Sequence, residues 1–269
     1  MTDIHSVGRV RHGSPSGEIR PHLSLFYLMM RSRMRAMCGI LLLLVGGELI
    51  LFARELRIVL AEDYMGRPSL QQLLQNSHAT AVFWVCLGLT ILLCASFGLS
   101  RGSRIDYTLR RLSVDESILH LWQAGFTLVC ILLLYLLQIL LGYGMAHWYV
   151  NAMNTVHPDT VGEQTAFLIF YENKLLHSLL PLHDTTRWIA VSAATLALAL
   201  AVSYFPFCRR QRKIPVIPVF VAVMYAVLMF GEFAGRPGND WIYAAAFIGT
   251  VCYMIRIITR GGWRNEEEA

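Results

Sequence analysis

Charged residues are scarce in this sequence. Asp, Glu, Lys and Arg make up 15% of its 269 residues, where an average soluble domain carries about 25%. A soluble fold of this length needs a charged surface over its core, and too little charge is present to make one. Paired cysteines are missing too. Cys38, Cys86, Cys94, Cys130, Cys208 and Cys252 stand singly, inside or at the ends of apolar runs. Without a C-x-x-C pair, structural zinc and a disulfide framework are excluded, and the cysteines read as small apolar residues. No G-x-x-x-x-G-K-[ST] occurs, so the chain has no P-loop to cradle a nucleotide. No H-E-x-x-H occurs either; His177, His183, Asp184 and Glu172 match no such metal spacing and read as polar residues of a surface helix. No Glu-Glu-x-x-x-Arg with following helical histidines is present, which excludes a membrane prenyl-peptide protease. The chain is therefore read as not an enzyme, holding no metal or cofactor of its own. A cleavable leader is not expected: the first 20 residues are polar and carry Gly8, Gly13, Pro15 and Gly17, so insertion falls to the first span.

What is abundant is apolar. Apolar types make up 55% of the chain, and several runs reach the roughly 20 residues that a helix needs to cross a hydrocarbon core of about 30 Å. Six spans are expected. The first covers residues 37–53 and contains Glu48. The second covers 79–99. The third runs 113–150, with its apolar centre over 124–145. The fourth, 188–207, stops at Pro206 and the basic run Arg209-Arg210-Gln211-Arg212-Lys213. The fifth starts near Pro215 and Pro218, which a first helical turn tolerates, and ends near Phe233. The sixth covers 241–258, reached through Arg236-Pro237-Gly238-Asn239-Asp240 with its N-cap chemistry.

The net charge of +5 is placed as a topology signal. Arginines cluster beside apolar runs rather than along one soluble face, which argues against a nucleic-acid partner. With both termini in the cytoplasm, the inner segments hold 17 of the 23 basic residues and the outer ones 6. A bias near three to one supports this orientation, and adding or removing a span scrambles it. Trp148, Trp188 and Trp241 fall at the expected outer boundary, and Trp122 near the inner one, where indole rings settle.

The remaining segments divide as follows. Residues 1–20 and 261–269 read as cytoplasmic tails and 21–260 as a single transmembrane domain. Leu23, Phe26, Met30 and Met34 recur at helical spacing before Arg31, Arg33 and Arg35, so 21–36 is expected as an N-terminal interfacial helix; the alternative is a plain extension of span one. Ser69 to Leu74 is a short amphipathic helix. The outer segment 151–187 is expected to hold a longer amphipathic helix, capped by Thr160 and Glu163 and lying on the membrane surface. The fold class is thus an all-α integral membrane protein.

Ionisable or strongly polar groups inside spans are functional candidates by default. Glu48 lies about 11 residues, or roughly 17 Å, from the inner end of span one. It either lines a translocation path, pairs with a basic residue on another helix, or sits near the outer interface, since Arg54 and Glu55 follow within two turns. Gln138 in span three is the second candidate, with a bond to a neighbouring helix as its simpler role. Glu232 and Arg236, four apart, read as a helix-end ion pair.

The inner loop 100–118 carries the most information. Ser113 and Glu116 have capping-box spacing, so span three begins well inside the cytoplasm. Before it, Tyr107 to Leu112 is expected as a short basic helix with Arg110 and Arg111 toward the cytosol and Tyr107 and Leu112 as apolar anchors; the alternative is a plain basic loop that only fixes topology. With the interfacial helix, the six spans and the phrase Tyr107-Thr108-Leu109-x-Arg111-Leu112-x-Val114, the chain resembles permease subunits of ABC-2 type transporters. The resemblance implies an ATP-driven exporter of an amphipathic lipid, peptide or drug-like substrate in a bacterial inner membrane. It implies that Tyr107, Leu109, Arg110, Arg111 and Leu112 couple to a separate ATP-binding cassette ATPase that carries ATP and Mg, and that a second permease subunit completes the path among membrane lipids. The chain departs from the family in its short connection between spans five and six and its large outer segment after span three. The alternative is a non-transporting six-span scaffold or immunity-type protein that binds lipid or peptide at its outer face.

Overall fold

The structure, a computed structural model, describes residues 19–61, 69–96, 116–156, 162, 164–182, 184–210, 215–230 and 237–263. These form α1 (Ile19–Ala61), α2 (Leu70–Asn76), α3 (Ala79–Ala95), α4 (Glu116–Val156), α5 (Gln164–Glu172), α6 (Lys174–Leu179), α7 (Thr185–Arg210), α8 (Val216–Phe230) and α9 (Pro237–Trp263). No strand occurs among the described residues. Four helices are long and apolar enough to cross a membrane, over Arg33–Ala61, Ser117–Val156, Thr185–Pro206 and Asn239–Ile258. α2 and α3 meet at 55° and make a fifth when taken as one bent span. This is compatible with a multi-pass membrane protein. α8 is equally apolar but has 15 residues, about 22 Å of helix.

Contacts fix the helix directions. α3 runs antiparallel to α1, because Arg33 bonds Ser96 (2.7 Å), the Cys86 thiol reaches the Ile40 carbonyl (3.7 Å), and Gly47 lies against Val82. α4 runs parallel to α1, since Gln123 bonds the Cys94 carbonyl (3.3 Å) and Gln138 bonds Glu48 (3.1 Å). α7 returns antiparallel to α4 through His120 and Ser203 (3.2 Å). α8 and α9 close the bundle: Tyr225 meets Tyr135, and Ser117 donates to the Ile258 carbonyl (3.0 Å). Two ends follow, a proximal one with Arg33, Ser96, Ser117 and Ser203, and a distal one with Ala61, Val156, Thr185 and Asn239.

α1 and α4 have 43 and 41 residues, roughly 60–65 Å each and about twice the hydrocarbon thickness. They run past the distal end of α3, and a second apolar core forms there. Phe52 and Leu56 of α1, Leu73 and Leu74 of α2, Tyr149 and Met153 of α4 and Leu176 of α6 pack together, apart from the main bundle core. α2 is set by its cap: Ser69 accepts from the Gln72 backbone while the Gln72 side chain accepts from the Ser69 backbone.

Two expected elements differ. The interfacial helix over 21–36 is not a separate element, because α1 runs unbroken through it. Between Pro21, which sits in the first turn, and Gly39 the sequence has no breaker, so the helix has no reason to stop. The outer amphipathic helix is broken into α5 and α6 at Asn173. The Asn173 side chain accepts from the amides of Leu175 and Leu176 (3.0 and 3.2 Å) and starts a new helix there. Its expected cap residues Thr160 and Glu163, the capping box at Ser113, the pair Glu232 and Arg236, and both tails except Ile19, Arg20 and 261–263 lie outside the described residues.

Close helix approach is concentrated at two glycines. A Cβ on Gly47 would stand 2.9 Å from Val82, and one on Gly142 would stand 2.8 Å from the Leu176 side chain. Gly46, one position away, has nothing within 4 Å of that point. Gly47→Ala therefore forces α1 and α3 apart against a branched, stiff side chain, at a cost of about 1–3 kcal/mol, whereas Gly46→Ala is tolerated. Thermal unfolding of the two variants in detergent, read by size-exclusion chromatography, checks this: the midpoint falls for Gly47→Ala and holds for Gly46→Ala.

Candidate functional site

The exterior of the bundle is apolar, and its largely apolar interior holds a set of buried polar side chains. Leu42, Ile50, Leu92, Leu136, Leu140 and Ile242 are exposed, while Glu48, Thr90, Gln123, Thr127, Gln138, Thr195 and Ser203 are buried. On α4 the polar side chains His120, Gln123, Thr127 and Gln138 share the buried face, and Gln123 to Gln138 spans about 22 Å of helix. They are satisfied in two ways. Thr127, Thr90, Thr195 and Ser203 bond carbonyls of their own helices, three or four residues back. His120, Gln123 and Gln138 reach across to other helices, His120 Nδ1 donating to the Ser203 carbonyl.

Glu48 and Gln138, singled out separately from the sequence, come together. Gln138 Nε2 donates to Glu48 Oε2 at 3.1 Å, and both side chains are buried. Oε1 of each has no hydrogen-bond partner among the described residues. Cys86 on α3 lies close enough to interact electrostatically with Glu48. Beside Gln138 is a small void of about 10 Å³, lined also by Thr80, Met145, Asn173 and Leu176. It is the volume of about one water molecule and excludes a large amphipathic substrate. Glu48 contacts a neighbouring helix in this conformation, but through the neutral Gln138 rather than the basic partner expected.

A second polar cluster escaped the sequence analysis. Arg187, read there as an outer basic residue, and Asp240, read as part of a turn, form a buried ion pair. Arg187 Nη1 donates to Asp240 Oδ1 at 2.9 Å. Its Nη2 donates to Ser178 Oγ and to the Leu228 carbonyl, both at 3.0 Å. One guanidinium thus ties α6, α7, α8 and α9 at the distal end, using the fork of donors that only arginine presents. Asp184 caps α7 by accepting from the amides of Thr186 and Arg187, which holds the arginine at the helix start. The available signal was position: an Arg and an Asp, each in the first turn of an apolar helix, both entering from the same side.

Tyr107, Leu109, Arg110, Arg111 and Leu112, expected from the resemblance to couple to an ATPase, lie outside the described residues. The helices that flank them are described, and both flanks, Ser96 and Glu116, stand at the proximal end near Arg33. Among the described residues no three His, Cys, Asp or Glu side chains converge to hold a metal. Glu172 is exposed and His177 packs against Tyr171 at 6.5 Å between ring centroids; His183 is outside the described set. Trp148, Trp188 and Trp241 are exposed at the distal end. Compared with known proteins, the chain matches no family model, no curated protein and no solved structure.

Removing one partner of a buried ion pair leaves the other charge uncompensated, at about 3–5 kcal/mol, while replacing both with apolar residues is often neutral. Arg187→Leu and Asp240→Leu each lower the detergent unfolding midpoint sharply, and the double variant recovers most of the loss. A double-mutant cycle on thermal stability measures it.

Proposed function

We propose that the chain is a six-span integral membrane protein with both termini in the cytoplasm, and the permease subunit of an ATP-binding cassette exporter in the bacterial inner membrane. α3 and α8 fall within the second and fifth of these spans. Two permease subunits, alike or different, enclose a path for an amphipathic lipid, peptide or drug-like substrate. Hydrolysis of ATP with Mg takes place on a separate ATPase subunit, and this chain transmits its motion.

One observation carries the reading. The phrase Tyr107-Thr108-Leu109-x-Arg111-Leu112-x-Val114 stands between Ser96 and Glu116, at the end of the bundle where most basic residues are expected. A short basic helix there is suited to dock into a groove on a soluble partner and to push on α3 and α4 together. α1 and α4, bonded to α3 at Ser96 and Cys94, would carry that push toward Glu48, Gln138 and the distal end. The apolar exterior supports placement among lipids, and the thin interior supports a path shared between two copies rather than enclosed in one.

Purification of the tagged chain in mild detergent is expected to recover a stoichiometric P-loop ATPase. Reversing two interfacial charges costs several kcal/mol, so Arg110→Glu with Arg111→Glu lowers ATPase recovery and permease-stimulated hydrolysis by at least about tenfold, leaving the isolated ATPase unchanged. A preparation with no ATPase, active by itself in binding lipid or peptide, overturns the permease reading for a scaffold or immunity-type protein.

A further inference from the structure

Glu48 sits in an apolar helix with no exposed surface, and its one hydrogen bond among the described residues comes from Gln138. An ionised carboxylate held this way has a single donor and no counter-ion, and the effective penalty for burying such a charge is several kcal/mol. The titratable groups on the packed elements do not supply a counter-charge. Cys86 faces it from α3, Tyr135 lies about one turn away on α4 and bonds Tyr225, and Arg54 on α1 is exposed beyond the next turn. The side toward α3 is shut, because Gly47 brings the Val82 side chain to within 2.9 Å of its Cβ position. On the other side Gln138 stands between Glu48 and a water-sized void. Its amide nitrogen is on the carboxyl, and its Oε1 has no partner among the described residues while the residue lines the void. The void also touches Thr80 and the half-buried Asn173, between α2, α3, α4 and α6.

We propose that Glu48 is an intramembrane proton-binding site, loaded and emptied through the water-sized void beside Gln138. The volume admits one water molecule and no organic ligand, which suits a proton as the species exchanged. With the proton on, Glu48 is a neutral acid held to Gln138 and the α1–α4 contact is closed. With the proton off, the carboxylate needs solvation, and water entering the void is what supplies it. Charge on α1 and hydration of the void are therefore linked. The inference needs only that the bundle lies in a membrane and is independent of the ATPase reading.

Infrared spectroscopy of the full chain in lipid nanodiscs tests it. At neutral pH the wild type is expected to show a protonated-carboxyl C=O stretch that shifts down in D₂O, fades reversibly on raising the pH, and is lost in Glu48→Gln. Gln138→Leu removes the bond to the carboxyl and shifts the stretch to higher frequency, which a band from another acid does not do. A band absent from the wild type at neutral pH, or unchanged in Glu48→Gln, overturns the proposal. A band that neither exchanges with D₂O nor responds to pH also overturns it, in favour of a sealed structural acid. Loss of the band on adding sodium at constant pH overturns it in favour of a metal-cation site.

Discussion

Because the outside of this bundle is made largely of leucine, isoleucine, valine and phenylalanine, its buried polar side chains have to be satisfied within the protein, by their own helix or by another. Lipid offers no hydrogen bonds, and an unmatched polar group in it costs several kcal/mol. The arrangement of the helices follows from this. Arg33 with Ser96, Gln123 with the Cys94 carbonyl, Glu48 with Gln138, and Arg187 with Asp240 each join two helices, in order from proximal to distal. Apolar contacts alone are a weak guide to register where the surroundings are equally apolar. These polar contacts act at fixed heights and set which turn of one helix meets which turn of the next.

Close packing takes over where no polar pair is present. Gly47 against Val82 and Gly142 against Leu176 remove side chains where two backbones come near. The first lies next to Glu48 and the second lines the void beside Gln138. The Glu48–Gln138 contact is therefore bounded on both sides by close helix approaches. The distal end is built differently. α1 and α4 outrun α3, and α2 and α6 fill the space between their extensions with leucines.

Much of this was legible from residue order. Helix positions followed from apolar runs and from Pro215 and Pro218, and the Ser69 cap of α2 was readable from its spacing; Pro206 did not stop its helix as expected, because α7 runs through it to Arg210. Glu48 and Gln138 stood out because each is a polar residue in an apolar stretch. Their pairing was not readable: they lie 90 residues apart, and nothing local links them. The Arg187 clasp was hidden for a related reason. An arginine at the start of an apolar helix looks like a topology signal, and only the convergence of four helix ends makes it a buried ligand of Asp240, Ser178 and the Leu228 carbonyl. The break at Asn173 was missed because the apolar pattern runs on through it, while the competition between its side chain and the backbone is a matter of local geometry.

By itself, then, the sequence determined that the chain is helical and apolar outside, where most of its long helices lie though not that α1 runs on to Ala61, and which few residues are out of place in such surroundings. Those properties depend on interactions between residues at most four apart. Tertiary structure alone decided that the bend between α2 and α3 is 55°, and which out-of-place residues meet. Those outcomes depend on helices folding against one another over separations of 50–90 residues. At that range a polar group selects its partner by height in the bundle and by burial, neither of which is written in the local order of the chain.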